Sequence, residues 1–156
     1  MNSGAPDLLR GLSPQEVGQV LALGTRMQVP SGSEVFGLGS PAGSVYVIER
    51  GLIRLTLPMQ VRGRDEDILV EERTAGQTVG WSALIPPYRF TLKATAPVET
   101  EVIALSRDAL QAHFDANPGA AYSIALNLAA VIGQRLQLFQ AMWLREMQRL
   151  VELRCV

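Results

Sequence analysis

Between two strand-like runs lies the segment Gly76-Gln77-Thr78-Val79-Gly80-Trp81-Ser82-Ala83-Leu84-Ile85-Pro86-Pro87-Tyr88-Arg89-Phe90. It combines two glycines, an indole, a Pro-Pro pair and an arginine. A turn-rich insert presents backbone amides, and a guanidinium beside them adds a planar fork of donors; the chemistry this suits is the capture of a small anion. Gly80, Trp81, Ser82, Ala83, Tyr88, Arg89 and Phe90 are therefore the candidate ligand-binding residues. Catalytic candidates are poor by contrast. His113 is the single histidine, so no multi-histidine metal site can form, and Cys155 has no Cys or His near it in sequence. Ser82 lies in Gly80-Trp81-Ser82-Ala83 rather than in a nucleophile elbow. Asp65, Glu66 and Asp67 follow Arg62-Gly63-Arg64 and read as a solvated hairpin turn, not an acid–base pair. There is no dinucleotide fingerprint and no P-loop. No catalytic residue and no metal ligand is assigned, and the expectation is a protein that is not an enzyme.

The elements that must position this segment are mostly strands. From Arg26 to Ser106 apolar and polar residues alternate, with Gly and Pro at short intervals. The strands expected are Met27–Val29, Glu34–Phe36, Ser44–Glu49, Leu52–Leu57, Ile68–Arg73, a short one near Val79, Phe90–Ala96 and Glu101–Leu105. So many short strands imply an all-β sandwich or barrel. Helices flank them. Ser13-Pro14-Gln15-Glu16 has the form of a capping box with proline at the first helical position, and Gly24 ends that helix. Leu8, Leu9 and Leu12 precede it and are expected on the same core. Ser106 opens a second short helix that runs to about Phe114, and Asn117-Pro118 caps a third.

That third helix, Gly119 to about Arg154, is the longest periodic segment in the chain and would span about 50 Å. Its apolar seam reads Leu128, Ile132, Leu136, Phe139, Trp143, Met147, Leu150, at spacings of three and four. The first half of such a helix packs on its own domain. Phe139 through Leu150 would run past a compact domain and expose an apolar strip, so self-association is the favoured reading. Bulk properties agree with a single globular domain: 156 residues, 47% hydrophobic, 19% charged, net charge −1. A near-neutral balance gives no global pull toward nucleic acid or anionic membrane, and DNA and membrane are not expected partners. With one cysteine, and with neither a signal-peptide-like run nor a membrane-length apolar run, a reducing cytoplasm is the expected compartment.

In order along the chain, three pieces carry a resemblance. They are Val29-Pro30-Ser31-Gly32-Ser33-Glu34-Val35-Phe36 followed by Gly39, then Ser44-Val45-Tyr46-Val47-Ile48-Glu49-Arg50-Gly51-Leu52-Ile53-Arg54-Leu55, then Glu72-Arg73-Thr74-Ala75-Gly76-Gln77-Thr78-Val79-Gly80. The chain resembles the cyclic nucleotide-binding domain of the catabolite-activator and fumarate-nitrate regulator group over about Leu8 to Leu136. The resemblance implies a double-stranded β-helix (a jelly roll of about eight strands) with short N-terminal helices and a long C-terminal dimer helix. It divides the chain into a helical segment at 1–24, the jelly roll at 25–116 and the dimerisation helix at 117–156. In the transcription factors of the group a winged helix–turn–helix follows, and here none does, so a stand-alone sensor or interaction domain is expected.

The resemblance also places the opening segment as a phosphate-binding cassette, where backbone amides and one Arg neutralise a cyclic phosphate and a Glu takes a ribose hydroxyl. Gly80 matches the family's glycine. Trp81 stands at the Glu position, and an indole cannot accept a hydrogen bond. Tyr88 stands at the Arg position, with Arg89 one place late and on the opposite face of a strand. The expectation is therefore a homodimeric, cyclic nucleotide-binding-like regulatory domain that is not a standard cAMP binder. Its cassette would either take another small anionic ligand or be filled by Trp81, Ile85, Pro86 and Tyr88. It would have no resident cofactor, and an unknown protein partner would be reached through the long helix. The alternative is a genuine cAMP or cGMP sensor using Arg89 and the amides of Gly80 to Leu84; a cupin-like metalloenzyme is remote with one histidine.

Overall fold

The computed structural model describes residues 4–155. Eight strands form two antiparallel sheets of four: β1 (Thr25–Val29), β2 (Ser33–Phe36), β3 (Ser44–Arg50), β4 (Leu52–Val61), β5 (Arg64–Thr74), β6 (Thr78–Val79), β7 (Lys93–Ala96) and β8 (Thr100–Ser106). One sheet has the order β1-β8-β3-β6 and the other β2-β7-β4-β5. Apart from the β4–β5 hairpin, consecutive strands alternate between sheets, so the two sheets fold over each other as a jelly roll. Along the strands the alternation is visible in burial. Val45, Val47, Ile53, Leu55, Ala94 and Ala96 are buried, while Tyr46, Arg54 and Thr95 between them are more exposed. Facing side chains from the two sheets thus build one core.

The β4–β5 hairpin is longer than the sequence pattern suggests. Arg64 to Asp67 belong to β5, paired with Val61, Gln60, Met59 and Pro58, rather than to a broad charged turn. The turn shrinks to Arg62 and Gly63, both at positive φ (52° and 75°). Two such residues give a turn whose twist matches that of the flanking strands, so pairing continues up to it. At the other end the expected Phe90–Ala96 strand is shorter: β7 starts at Lys93, and Phe90 to Leu92 are irregular.

Helix starts follow local chemistry. Asp7–Leu9 forms a 3-10 turn that buries Leu8 and Leu9. In α1 (Pro14–Leu21), Ser13 Oγ accepts from the Glu16 amide and the Glu16 carboxylate accepts from the Ser13 amide, a complete capping box. α2 (Arg107–Ala116) is capped by Ser106 Oγ, which accepts from the Ala109 amide. α3 (Pro118–Arg154) starts at the expected proline, but Asn117 does not cap it; the Asn117 amide donates back to the His113 carbonyl and closes α2 instead.

Along α3 the inward face carries Ala120, Ile124 and Arg135, all buried, with Leu128 and Phe139 packed against the core. Asn127 donates to the carbonyls of Leu8 and Arg10 at 2.8 Å each, tying the N-terminal turn to the helix. The seam read from sequence therefore mixes two faces. Leu128 and Phe139 pack on the helix's own domain, while Ile132, Leu136, Trp143 and Leu150 are exposed. At 100° per residue the exposed Leu136 and Trp143 lie beside the inward face, about 60° and 40° round the helix from Phe139. No described helix is long and apolar enough to cross a membrane.

Candidate functional site

The cassette begins at Gly80, whose φ of 82° turns the chain out of β6. An added Cβ there would lie 3.1 Å from the Ser44 carbonyl oxygen and 3.2 Å from the Tyr46 ring, so both conformation and space favour glycine. A 3-10 helical turn, Trp81–Leu84, follows, with Ser82 and Ala83 buried. The Pro86–Pro87 peptide is cis, and Tyr88 sits at φ 58°. Local carbonyls use several of the amides: those of Ala83, Ile85, Tyr88 and Phe90 donate to Gly80, Ser82, Ile85 and Ser40. The segment is thus held mainly by its own backbone.

The predicted ligand-binding residues do not converge. Gly80, Trp81, Ser82 and Phe90 line one small cavity between the sheets, closed on other sides by Phe36 and Arg135. Ala83 is buried just beneath. Tyr88 and Arg89 lie outside it. Arg89 is exposed and donates through Nη1 to the Gly39 carbonyl at 2.9 Å, and its backbone bridges to Pro41. Tyr88 faces α2, where the Arg107 guanidinium stacks 4.1 Å from its ring centre. Pro86 is exposed as well, so neither Pro86 nor Tyr88 fills the space between the sheets. Phe90 does. Its ring stacks on Phe36 at 3.7 Å between centroids and 10° between planes, and Phe36 in turn stands 6.0 Å from Tyr46. The cavity that remains is about 20 Å³. Burial raises the Tyr46 phenol above its ordinary pKa.

Beside this cavity runs a chain of ionic contacts. Arg73 is buried and reaches Asp7 at 3.0 Å, Glu71 at 3.1 Å and the Thr78 carbonyl at 3.2 Å. Thr78 Oγ1 donates to the other Asp7 oxygen. Glu71 also accepts from Arg135 at 2.8 Å and 3.2 Å. The Arg135 guanidinium lies 5.5 Å from the Trp81 ring centre, within cation–π reach. Burial pulls the Arg135 pKa below the ordinary arginine value, and the Glu71 carboxylate opposes that fall. One line of contacts so joins the N-terminal turn, β5, the cassette and α3. Glu71→Ala strands Arg135 without a counter-charge and removes one partner of Arg73. Breaking a fully buried pair costs about 3–5 kcal/mol, and the Glu71 side chain is 29% exposed, so a loss of about 2–3 kcal/mol is expected in urea unfolding. Glu71→Ala combined with Arg135→Leu should recover part of it, because no unpaired charge then remains on α3. A single-variant loss below about 0.5 kcal/mol would place the bridge with ordinary surface pairs.

A family model described as the cyclic nucleotide-binding domain matches residues 26–117, more than half of the chain. The chain belongs to the cyclic nucleotide-binding domain family. Within it, the chain is 28% identical over 134 residues to the cyclic AMP receptor protein of Thermus thermophilus, which covers 86% of this chain and 58% of that one. The crystal structure of the catabolite activator protein of Thermus thermophilus superposes with a TM-score of 0.73 at 26% identity, covering 91% of this chain and 63% of that one. Glutaminase 1 of Bradyrhizobium diazoefficiens is 29% identical over 133 residues, which are 83% of this chain and 20% of that enzyme. The chain therefore spans less than two thirds of the length of each of these relatives.

Three groups at the site, Phe36, Glu71 and Arg135, do not stand among the residues expected from sequence. Phe36 reads from sequence only as a strand residue, and its stacking on the candidate Phe90 depends on the segment before β7 lying along the turn after β2. Glu71 carries no local sign of a role, although it is the hinge between two arginines. Arg135 was legible: it lies seven residues after Leu128 and four before Phe139, hence on the inward stripe, and a lone charge on an apolar stripe signals a buried partner.

Proposed function

We propose that this chain is a non-enzymatic regulatory domain that acts as a homodimer through α3 and does not hold cAMP in the family's manner. The observation that carries the reading is the Phe36–Phe90 stack, which occupies the space between the sheets below the cassette and leaves about 20 Å³. That is room for about one water molecule, whereas small-ligand sites measure about 300–1,000 Å³. Side chains support it too. Trp81 follows Gly80 where a ribose acceptor is expected, and Arg89 is exposed outside the cavity, anchored to the Gly39 carbonyl. Regulatory work without a nucleotide is consistent with the ionic line from Asp7 to Arg135, since it links the cassette to the helix that would meet a second copy. The single histidine supports a role without catalysis.

Titration calorimetry and thermal melts with cAMP and cGMP test the reading. No heat and no shift of the melting temperature are expected at millimolar nucleotide. A nucleotide present at a hundred times its Kd would add about 2.7 kcal/mol of stability, which a melt detects easily. Saturable heat at micromolar nucleotide would overturn the reading in favour of a true sensor built on Arg89 and the amides of Trp81 to Leu84. An Arg89→Ala variant would then report whether that guanidinium holds the phosphate.

A further inference from the structure

A second hollow lies apart from the cassette cavity, between the outer side of the cassette, α2 and α3. Its volume is about 570 Å³, within the range of small-ligand sites. Leu84, Phe114, Ile124 and Leu128 make apolar walls, and Ala121 and Ala125 leave the α3 side open because their side chains end at a methyl. Three polar groups reach the rim besides Tyr88. Gln111 Nε2 donates to the Asp115 carboxylate at 3.1 Å, a bond that orients the carboxylate and leaves its negative charge at the rim. Arg107 stands differently. It is half-buried, stacked on Tyr88, and donates through Nη1 to the Ala42 carbonyl at 3.0 Å. Among the described residues no carboxylate lies within ion-pair distance of it. A guanidinium has five N–H donors, and one carbonyl uses one of them. Arg107 is thus a partly desolvated cation, held still by a ring and a carbonyl, at the edge of an apolar hollow and without a counter-charge.

We propose that this hollow binds a small amphiphilic anion, with an apolar aliphatic or aromatic body against Phe114, Ile124 and Leu128 and a carboxylate paired with Arg107. A planar carboxylate suits the guanidinium fork, and a half-buried pair of this kind outweighs the exposed alternatives. A second copy of the chain is not the occupant argued for. Ile124 and Leu128 lie on the inward face of α3, whereas the exposed Leu136 and Trp143 lie about two and four turns further along it. A bound molecule touches Leu84 of the cassette on one side and α3 on the other, so occupancy would tie the two together. Nothing in this depends on what the cassette cavity takes.

Sodium decanoate, decyltrimethylammonium and decanol, each below its micelle concentration, are titrated into the nitrogen-15-labelled chain and followed by backbone-amide NMR. Decanoate is expected to produce saturable shifts at Gln111, Phe114, Ala121 and Ala125, and to bind about tenfold or more tightly than decyltrimethylammonium. Arg107→Gln should weaken decanoate about tenfold or more, and Ala121→Phe, which fills the hollow without touching Arg107, should abolish the saturable shifts. Equal affinity for the anion and the cation overturns the proposal. So do shifts confined to the exposed Leu136 and Trp143, or the lack of any saturable shift at millimolar decanoate. If either variant fails to fold, the anion-over-cation preference of the unaltered chain decides.

Discussion

Phe90→Ala should lower the stability of the domain by about 3–5 kcal/mol, the range for removing a buried aromatic ring. Phe90 is 5% exposed and stacked on Phe36, and only about 20 Å³ of space adjoins it, so the neighbours have little slack with which to collapse. For a chain of this size, 1 kcal/mol moves the melting temperature by about 2–4 °C, so a fall of about 6–20 °C is expected. The variant also separates two causes for the proposed failure to bind cAMP. If the ring alone excludes the nucleotide, removing it should restore binding. If the missing ribose acceptor matters as well, calorimetry stays flat, because Trp81 offers one donor and no acceptor. The expected result is a flat titration with cAMP together with a gain in affinity for small apolar aromatics such as indole. A melting temperature that does not change would show that the ring is not part of the packed core.

The second large effect concerns the exposed side chains of α3. Leu136→Glu with Trp143→Glu should convert a dimer to a monomer in sedimentation at about 10 µM chain, a concentration at which a dimer held by about −8 kcal/mol or better stays largely associated. Leu136 and Trp143 are 57% and 60% exposed in the single chain, and each would bury a large apolar side chain against its symmetry mate. A buried Leu-sized side chain is worth about 1.5–3 kcal/mol, and placing a carboxylate there reverses the sign of the contact. The melting temperature of the monomeric variant should stay close to that of an isolated protomer, because neither side chain touches the jelly roll. Phe139→Glu should behave differently. Phe139 packs against the chain's own core, so this change should unfold the protomer more than it separates copies. A chain that is already monomeric at this concentration, or a dimer that survives the double change, would remove α3 as the interface.

Elements and their order were legible from local rules. The Ser13 capping box, Pro14 and Pro118 at first helical positions, the glycine-punctuated strands and the long final helix all depend on residues within a few positions of one another, and backbone sterics and capping chemistry act at that range. The place of the cassette between β6 and β7 was legible from the resemblance. So was its lack of an acceptor at Trp81, since that is a property of one side chain. Where local chemistry had two partners to choose from, the reading went astray. Asn117 was free to cap α3 or close α2, and Arg62-Gly63 made a tight turn where a broad one was expected.

Only the tertiary structure decided what fills the cassette and which way the long helix faces. Phe90 meets Phe36, 54 residues away in sequence, because the irregular segment before β7 runs along the turn after β2, where Phe90 exchanges backbone hydrogen bonds with Gly39 and Ser40. Glu71 meets Arg135 across 64 residues, and Arg107 meets Tyr88 through the packing of α2 on the cassette. A spacing of three or four residues says that a stripe exists on α3 but not where around the helix the domain sits, and the stripe on Leu128 and Phe139 lies next to the one on Leu136 and Trp143. Burial by a distant surface separates them, and no short stretch of sequence contains that surface.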